Sequence, residues 1–176
     1  FYIECNGEIV KNDNNEITGA FLIVRDITER KITEEALIES EARFRGLFDN
    51  AKDAIIIQNI NNQIIDANPY STEVFGYNYD ELLKTNFFNF IPKHHKTNIN
   101  FEEIAESGEM FETPAIHKNK NEINIQVSVS KVFFSDKQFY LLIIRDITLQ
   151  KRNELNIKHS AEKLKISNET KNKMFS

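Results

Sequence analysis

Ten residues near the start of the chain, LIVRDITERK at 22–31, recur as LIIRDITLQK at 142–151. Asp26 and Asp146 stand 120 residues apart. Stacked solenoid repeats have periods of about 20–50 residues. The longer spacing predicts two tandem copies of one domain, the first represented only by its closing portion. Both copies follow the same local logic. An apolar, β-rich run ends in Arg-Asp-Ile-Thr, and a polar, helix-favouring segment follows at once. Thr28 and Thr148 are placed to cap those helices, their hydroxyls accepting an N–H of the first turn. Such a joint has almost no loop and can carry motion from a sheet into a helix. Asp26, Thr28, Asp146 and Thr148 are therefore the candidate relay residues. In a single copy an ordinary helix cap would explain the pattern equally well; its recurrence at domain spacing favours the relay.

Between the two copies the pattern is mixed. Residues 1–27 read as two strands joined by the turn-rich KNDNNE, and 29–48 as a helix with a partial apolar stripe. DAIIIQ at 53–58 and QIID at 63–66 read as strands around a turn at NINNQ. Pro69 opens a short helix that Gly76 ends, and YDELLK forms another. FFNFIP is an apolar stretch stopped by Pro92. Residues 94–106 are expected to form a longer helix closed by Gly108. Three antiparallel strands are expected at 110–117, 122–134 and 138–147. Ile123, Ile125, Val127 and Val129 alternate with polar residues, so one face of their strand is buried. FYLLIIRD is apolar on both faces, so a flanking helix or a second subunit is expected over the outer one. Residues 149–175 are polar and helical.

Two strands, several short helices and three strands make an α+β antiparallel sheet with helices on one face. The segment 43–148 resembles a PAS domain. The likeness rests on RFRGLFDNAKDAIII, IDAN at Asp66–Asn68, FGY at Phe75–Tyr77, the ELL helix and RDIT at Arg145–Thr148, taken in that order and spacing. Residues 1–28 resemble the last two strands of a preceding PAS domain. Residues 29–42 read as a helical linker and 149–176 as a signalling helix. The resemblance implies a five-stranded sheet in order 2-1-5-4-3, helices enclosing a small cavity, and a sensing or dimerising role. SNETKNKMFS at 167–176 resembles the lead-in to the phosphoacceptor helix of sensor histidine kinases. HSAEK at His159 lacks the acidic neighbour of a phosphoacceptor.

The chemistry of the remaining residues narrows the role further. The net charge of −5 argues against a nucleic-acid partner, which leaves a basic patch on the proteins that bind it. The single cysteine, Cys5, can form neither an internal disulfide nor a cysteine-based zinc site. No apolar run approaches the ~20 residues of a membrane span. A cytoplasmic setting is expected, with any membrane anchor of the parent protein lying upstream. His94 and His95 would point about 100° apart on a helix, and with His117 and His159 they read as solvated polar residues. No metal is expected. Haem-binding relatives carry a histidine on the long helix, where this chain has Thr97 or Asn98. Photoactive flavin-binding relatives carry a core cysteine, and many use a tryptophan, which this sequence lacks. Neither haem nor flavin is expected. No catalytic constellation and no glycine-rich ATP box occur, so no enzymatic activity is expected of the fragment.

What remains is a small apolar cavity for an unidentified ligand. Its candidate walls are Ile57, Phe75, Ile91, Ile125, Val127, Leu142 and Ile144, although Phe75, Phe88 and Phe90 are large enough to fill it. The exit helix carries a weak heptad pattern through Ile157, Ser160, Leu164, Ser167, Lys171 and Met174, a poor coiled coil by itself. The expected function is sensing and signal relay in a two-component sensor histidine kinase. A homodimer through the flanking helices, downstream kinase domains and a response regulator are the expected partners. The alternatives are a ligand-free dimerisation module, or the same sensor feeding a diguanylate cyclase or a chemoreceptor.

Overall fold

The computed structural model describes residues 1–174, with side chains at all of these except 97–98 and 166–174. The chain divides into two compact units, 1–47 and 48 onward.

In the first unit β1 (Ile3–Lys11) and β2 (Ile17–Asp26) form an antiparallel hairpin. The turn is local chemistry: Asn12 Oδ1 accepts the N–H groups of Asn14 and Glu16, at 3.0 and 2.9 Å, and Asn15 takes a positive φ of 65°. The ladder runs from Ile3 opposite Asp26 through Cys5 opposite Val24 to Gly7 opposite Leu22. Every residue of both strands is exposed. From the end of β2 the chain enters α1 (Thr28–Asp49), 22 residues long.

The second unit is built on five antiparallel strands: β3 (Ala54–Asn59), β4 (Ile64–Ala67), β5 (Phe111–Ile116), β6 (Glu122–Phe134) and β7 (Lys137–Asp146). Their spatial order is β4-β3-β7-β6-β5, which is the expected 2-1-5-4-3. Side chains alternate across this sheet. Ala54, Ile56, Gln58, Ile125, Val127, Val129, Tyr140, Leu142 and Ile144 are buried on one face. That face is closed by α2 (Pro69–Phe75), α3 (Tyr79–Leu83), two 3-10 turns at Phe87–Phe90 and Lys93–Asn98, and α4 (Phe101–Ser107). Along β7 the outward residues Phe139, Leu141 and Ile143 are apolar too, and Ile143 is 40% exposed. The exit helix α5 (Thr148–Met174) follows directly.

The short helices are set by their caps. Asn68 caps α2, whose first residue is Pro69, and Gly76 ends it in the left-handed conformation at φ 75°. Asn78 and Glu81 form a reciprocal capping box on α3. The helix expected over 94–106 is two elements. A 3-10 turn ends at Asn98, and α4 begins anew at Phe101 because the Asn100 side chain accepts the N–H of Glu102 at 3.1 Å. An asparagine that caps competes with its own place in a helix interior.

Candidate functional site

The joint between β7 and α5 is held by three side-chain and backbone contacts. The Ile147 N–H donates to Asn124 O at 2.8 Å, one residue beyond the last ladder pair, Ile125 with Asp146. The Asn124 N–H in turn donates to the Thr148 hydroxyl oxygen at 2.8 Å. Asp146 Oδ1 accepts the Thr148 N–H at 2.8 Å. Helical bonding starts immediately, with the Lys151 N–H on Ile147 O at 2.9 Å. The Lys151 ammonium also pairs with Glu112 on β5 at 2.5 Å.

The first unit builds the same joint from different residues. Ile27 N–H donates to Tyr2 O at 3.0 Å, Tyr2 N–H to the Thr28 hydroxyl at 2.9 Å, and Thr28 N–H to Asp26 Oδ1 at 2.9 Å. The bonds from Thr28 hold the Asp26 carboxyl below its ordinary value. The repeat in sequence is therefore a repeat in geometry. It corrects one expectation: the threonines do not cap their own helices. Each is already the first helical residue, so its hydroxyl reaches sideways to an N–H of the neighbouring strand that has no ladder partner. The aspartate supplies the cap. Helix and sheet are thus stitched at two points, and neither can rotate without breaking a hydrogen bond.

A second cluster organises the start of β3, which lies beside the end of β7 with Ala54 opposite Ile144. Asn68 is fully buried. Its Oδ1 accepts the N–H groups of Ile55 at 2.9 Å and Ser71 at 3.1 Å. Its Nδ2 donates to the carbonyls of Phe48 at 3.2 Å and Asp53 at 3.0 Å. One amide thereby fixes the end of α1, the start of β3 and the first turn of α2. The Asp53 carboxylate receives a two-pronged pair from Arg145, at 2.9 and 2.7 Å, on the strand that leads into Asp146. In the sequence IDAN is only a marker, and RDIT shows the relay pair Asp146 and Thr148 but not the partner of Arg145. An asparagine directly before Pro69, at the cap position of α2, was the available signal for Asn68; the partners came from elements far apart in the chain.

Of the seven candidate cavity walls, Phe75, Ile91, Ile125, Val127, Leu142 and Ile144 share one buried cluster. Ile57 is a correction. It is buried but faces away from that cluster, beside Leu141, while Ile56 beside Leu142 takes the inward place. Ala-Ile-Ile-Ile hides the two-residue period, because apolar side chains on both faces carry no phase. The interior is rich in rings: Phe75 stacks on Phe90 at 4.3 Å, and Phe101 lies 5.6 Å from Phe87 and 5.8 Å from Tyr140. At the edge of this core is a cleft of about 250 Å³, lined in part by Asn62, Phe88, Phe101, Glu102 and Tyr140. Glu102 accepts from Lys131 at 2.5 Å and from the Tyr140 hydroxyl. The Lys131 and Tyr140 bonds hold its carboxyl below the usual range. Burial and the same carboxylate raise the Tyr140 hydroxyl.

The His94 and His95 rings are in contact at 4.3 Å, while the His117 ring lies against Gly76. Thr97 and Asn98 sit in the second 3-10 turn, and their side chains lie outside the described residues. The heptad positions Ile157 and Leu164 are exposed on α5, and those at Ser167, Lys171 and Met174 lie outside the described side chains.

A profile of the PAS domain family matches residues 1–29 and 52–149, so it meets both copies of the repeated joint. The chain belongs to the PAS domain family. Sporulation kinase E of Bacillus subtilis (strain 168) is 32% identical over 154 residues, covering 86% of this chain and 21% of that protein. The methyl sulfide methyltransferase-associated sensor of Methanosarcina acetivorans is 30% identical over 177 residues, covering 86% of this chain and 18% of that protein. The PAS domain thus spans about a fifth of the length of these relatives. The crystal structure of a PAS domain of an HTR-like protein from Haloarcula marismortui matches with a TM-score of 0.56 and 21% identity. It covers 66% of this chain and 99% of that one, a likeness of fold.

Proposed function

We propose that this PAS chain is the sensing and relay segment of a two-component sensor histidine kinase, which passes its phosphoryl group to a response regulator. The observation that carries the reading is the joint built twice with the same bonds, once at Asp26–Thr28 and once at Asp146–Thr148. A change in either sheet reaches the following helix through that joint. The kinase output is supported by the relatedness to sporulation kinase E. The parent works as a homodimer through α1 and α5, which carry exposed Ile32, Leu37, Ile38, Leu155, Ile157 and Leu164. No helix among the described residues is long and apolar enough to cross a membrane, and a cytoplasmic setting suits the free Cys5.

The test is a double Asp146→Ala, Thr148→Ala variant of the full-length parent. Each substitution removes one hydrogen bond and should cost about 1 kcal/mol. That loss is too small to unfold a domain of about 5–15 kcal/mol stability. The kinase should lose its response to input, fixed on or off, while the isolated chain still melts cooperatively. An unchanged response would reduce the joint to an ordinary helix cap. Light scattering on the isolated chain tests the dimer: a monomer well above micromolar concentration would refute it.

A further inference from the structure

The repeated joint contains an arginine that the relay reading leaves unused. It is Arg25 in one copy and Arg145 in the other, each directly before the aspartate. In the second unit Arg145 has a defined task. Ala54 opposite Ile144 is the last rung between β3 and β7. One residue beyond it the ladder has ended, and side chains take over. Arg145 Nε and Nη2 donate to the two carboxylate oxygens of Asp53 at 2.9 and 2.7 Å. A two-pronged guanidinium–carboxylate pair fixes angle as well as distance. It sets how the end of β7 lies against the start of β3, at the residue next to Asp146.

Asp53 is tied in the other direction as well. Asn68 Nδ2 donates to the Asp53 carbonyl at 3.0 Å and to that of Phe48 at 3.2 Å. Phe48 lies in the last turn of α1 and is buried, whereas Phe44 and Leu47 before it are exposed. Taken in order, the bonds run from Phe48 through Asn68 to Asp53, and from Asp53 to Arg145. One peptide further on, Asp146 holds the Thr148 N–H at 2.8 Å. The end of α1 and the start of α5 are thus joined by polar contacts that bypass the ring-filled core. The ion pair itself contributes little to folding: the Arg145 side chain is 62% exposed and that of Asp53 24%, and exposed pairs are worth little. A contact of small energy and strict geometry between two helix ends suits positioning.

We propose that Arg145 and Asp53 are positioning residues through which α1 acts on α5. A shift at the end of α1 moves Asn68 and the start of β3, and the guanidinium carries that shift to Asp146 and Thr148. The inference rests on the relay reading above and gives that relay a second input. The first unit's own joint feeds α1 at Thr28, so the two copies act in series: joint, helix, joint.

The test reads autophosphorylation of the full-length parent, with Asp26→Ala, Thr28→Ala as the change made in the first unit. That change should alter the rate at least about fivefold, the low end of ordinary coupling between sites. In an Asp53→Asn or an Arg145→Gln background the same change should leave the rate unmoved, while the melting temperature of either single variant stays close to that of the unaltered chain. Reversing the pair, Asp53→Arg with Arg145→Asp, should restore the response. A full response in the Asp53→Asn and Arg145→Gln backgrounds that is lost in Asp146→Ala, Thr148→Ala would overturn the pair as the link and leave the relay standing. A response that survives in all three backgrounds would overturn the relay reading as well. No response to the first-unit change in the unaltered parent, or none regained on reversing the pair, would overturn the proposal.

Discussion

Replacing Asn68 by alanine should be among the most damaging single changes in the second unit. The side chain makes four bonds to backbone groups: two accepted, from Ile55 and Ser71, and two donated, to Phe48 and Asp53. At a net of about 1 kcal/mol each, their loss amounts to about 3–5 kcal/mol. This is a large share of the about 5–15 kcal/mol that holds a domain together. At about 4 °C per kcal/mol for a unit of this size, the melting temperature should fall by about 12–20 °C. Urea titration followed by circular dichroism measures the total. Amide exchange at Ile55 and Ser71 measures the two N–H groups that lose their acceptor. Asn68→Asp is the sharper control. It keeps an acceptor for both N–H groups but turns the donor into an oxygen facing two carbonyls. Burial against those carbonyls raises the folded-state pKa of the new carboxyl above its unfolded value, about 3.9. Between the two values the folded state binds more protons, so stability falls as pH rises. The Asn68→Asp deficit should therefore be smaller at pH 4 than at pH 7. A loss under about 1 kcal/mol for Asn68→Ala, with unchanged exchange at Ile55, would show that water replaces the amide and would refute the argument.

Other expectations follow from single contacts. Gly76→Ala should destabilise far more than Gly108→Ala. Both sit at positive φ, a strain of about 1–2 kcal/mol for a residue with a side chain, but a Cβ at 76 would fall 2.2 Å from the His117 ring while one at 108 meets nothing within 4 Å; thermal melts of the two variants give the difference. Lys131 holds the Glu102 carboxyl below its usual 4.5. A depressed carboxyl contributes stability above the unfolded value that is lost as pH falls through the folded one, so Glu102→Gln should flatten the acid limb of a stability profile below about pH 4.5; an unchanged limb would remove this pair from the account. The chain expressed with haem and flavin supplied should purify colourless, and a stoichiometric Soret or flavin band would contradict that.

Strand periodicity, turn chemistry and caps were legible because they are local. The alternation of Ile123 to Val129 gave the buried face of β6, and Pro69 with Gly76 bounded α2. Local reading failed where local signals were mute or in conflict. Ile57 faces away from the expected cavity; three isoleucines in a row conceal which face is inward. The helical pattern over 94–106 runs through Asn100, whose side chain starts α4 instead. Glu102, Lys131 and Tyr140 were not seen as a cluster, since they come from one helix and two strands.

By itself the sequence determined the repeat, the order of strands and helices, and the positions of aspartate and threonine at each strand-to-helix joint. Those are properties of neighbouring residues, fixed by propensity, period and capping. Only the tertiary structure decided which group each polar atom meets. It gave the Thr148 hydroxyl to Asn124 on another strand, made Asn68 the meeting point of three elements, and left the oxygen of Gln58 buried with no donor among the described residues. Hydrogen bonds form over about 3 Å, and which residues come that close depends on strand register across the whole sheet.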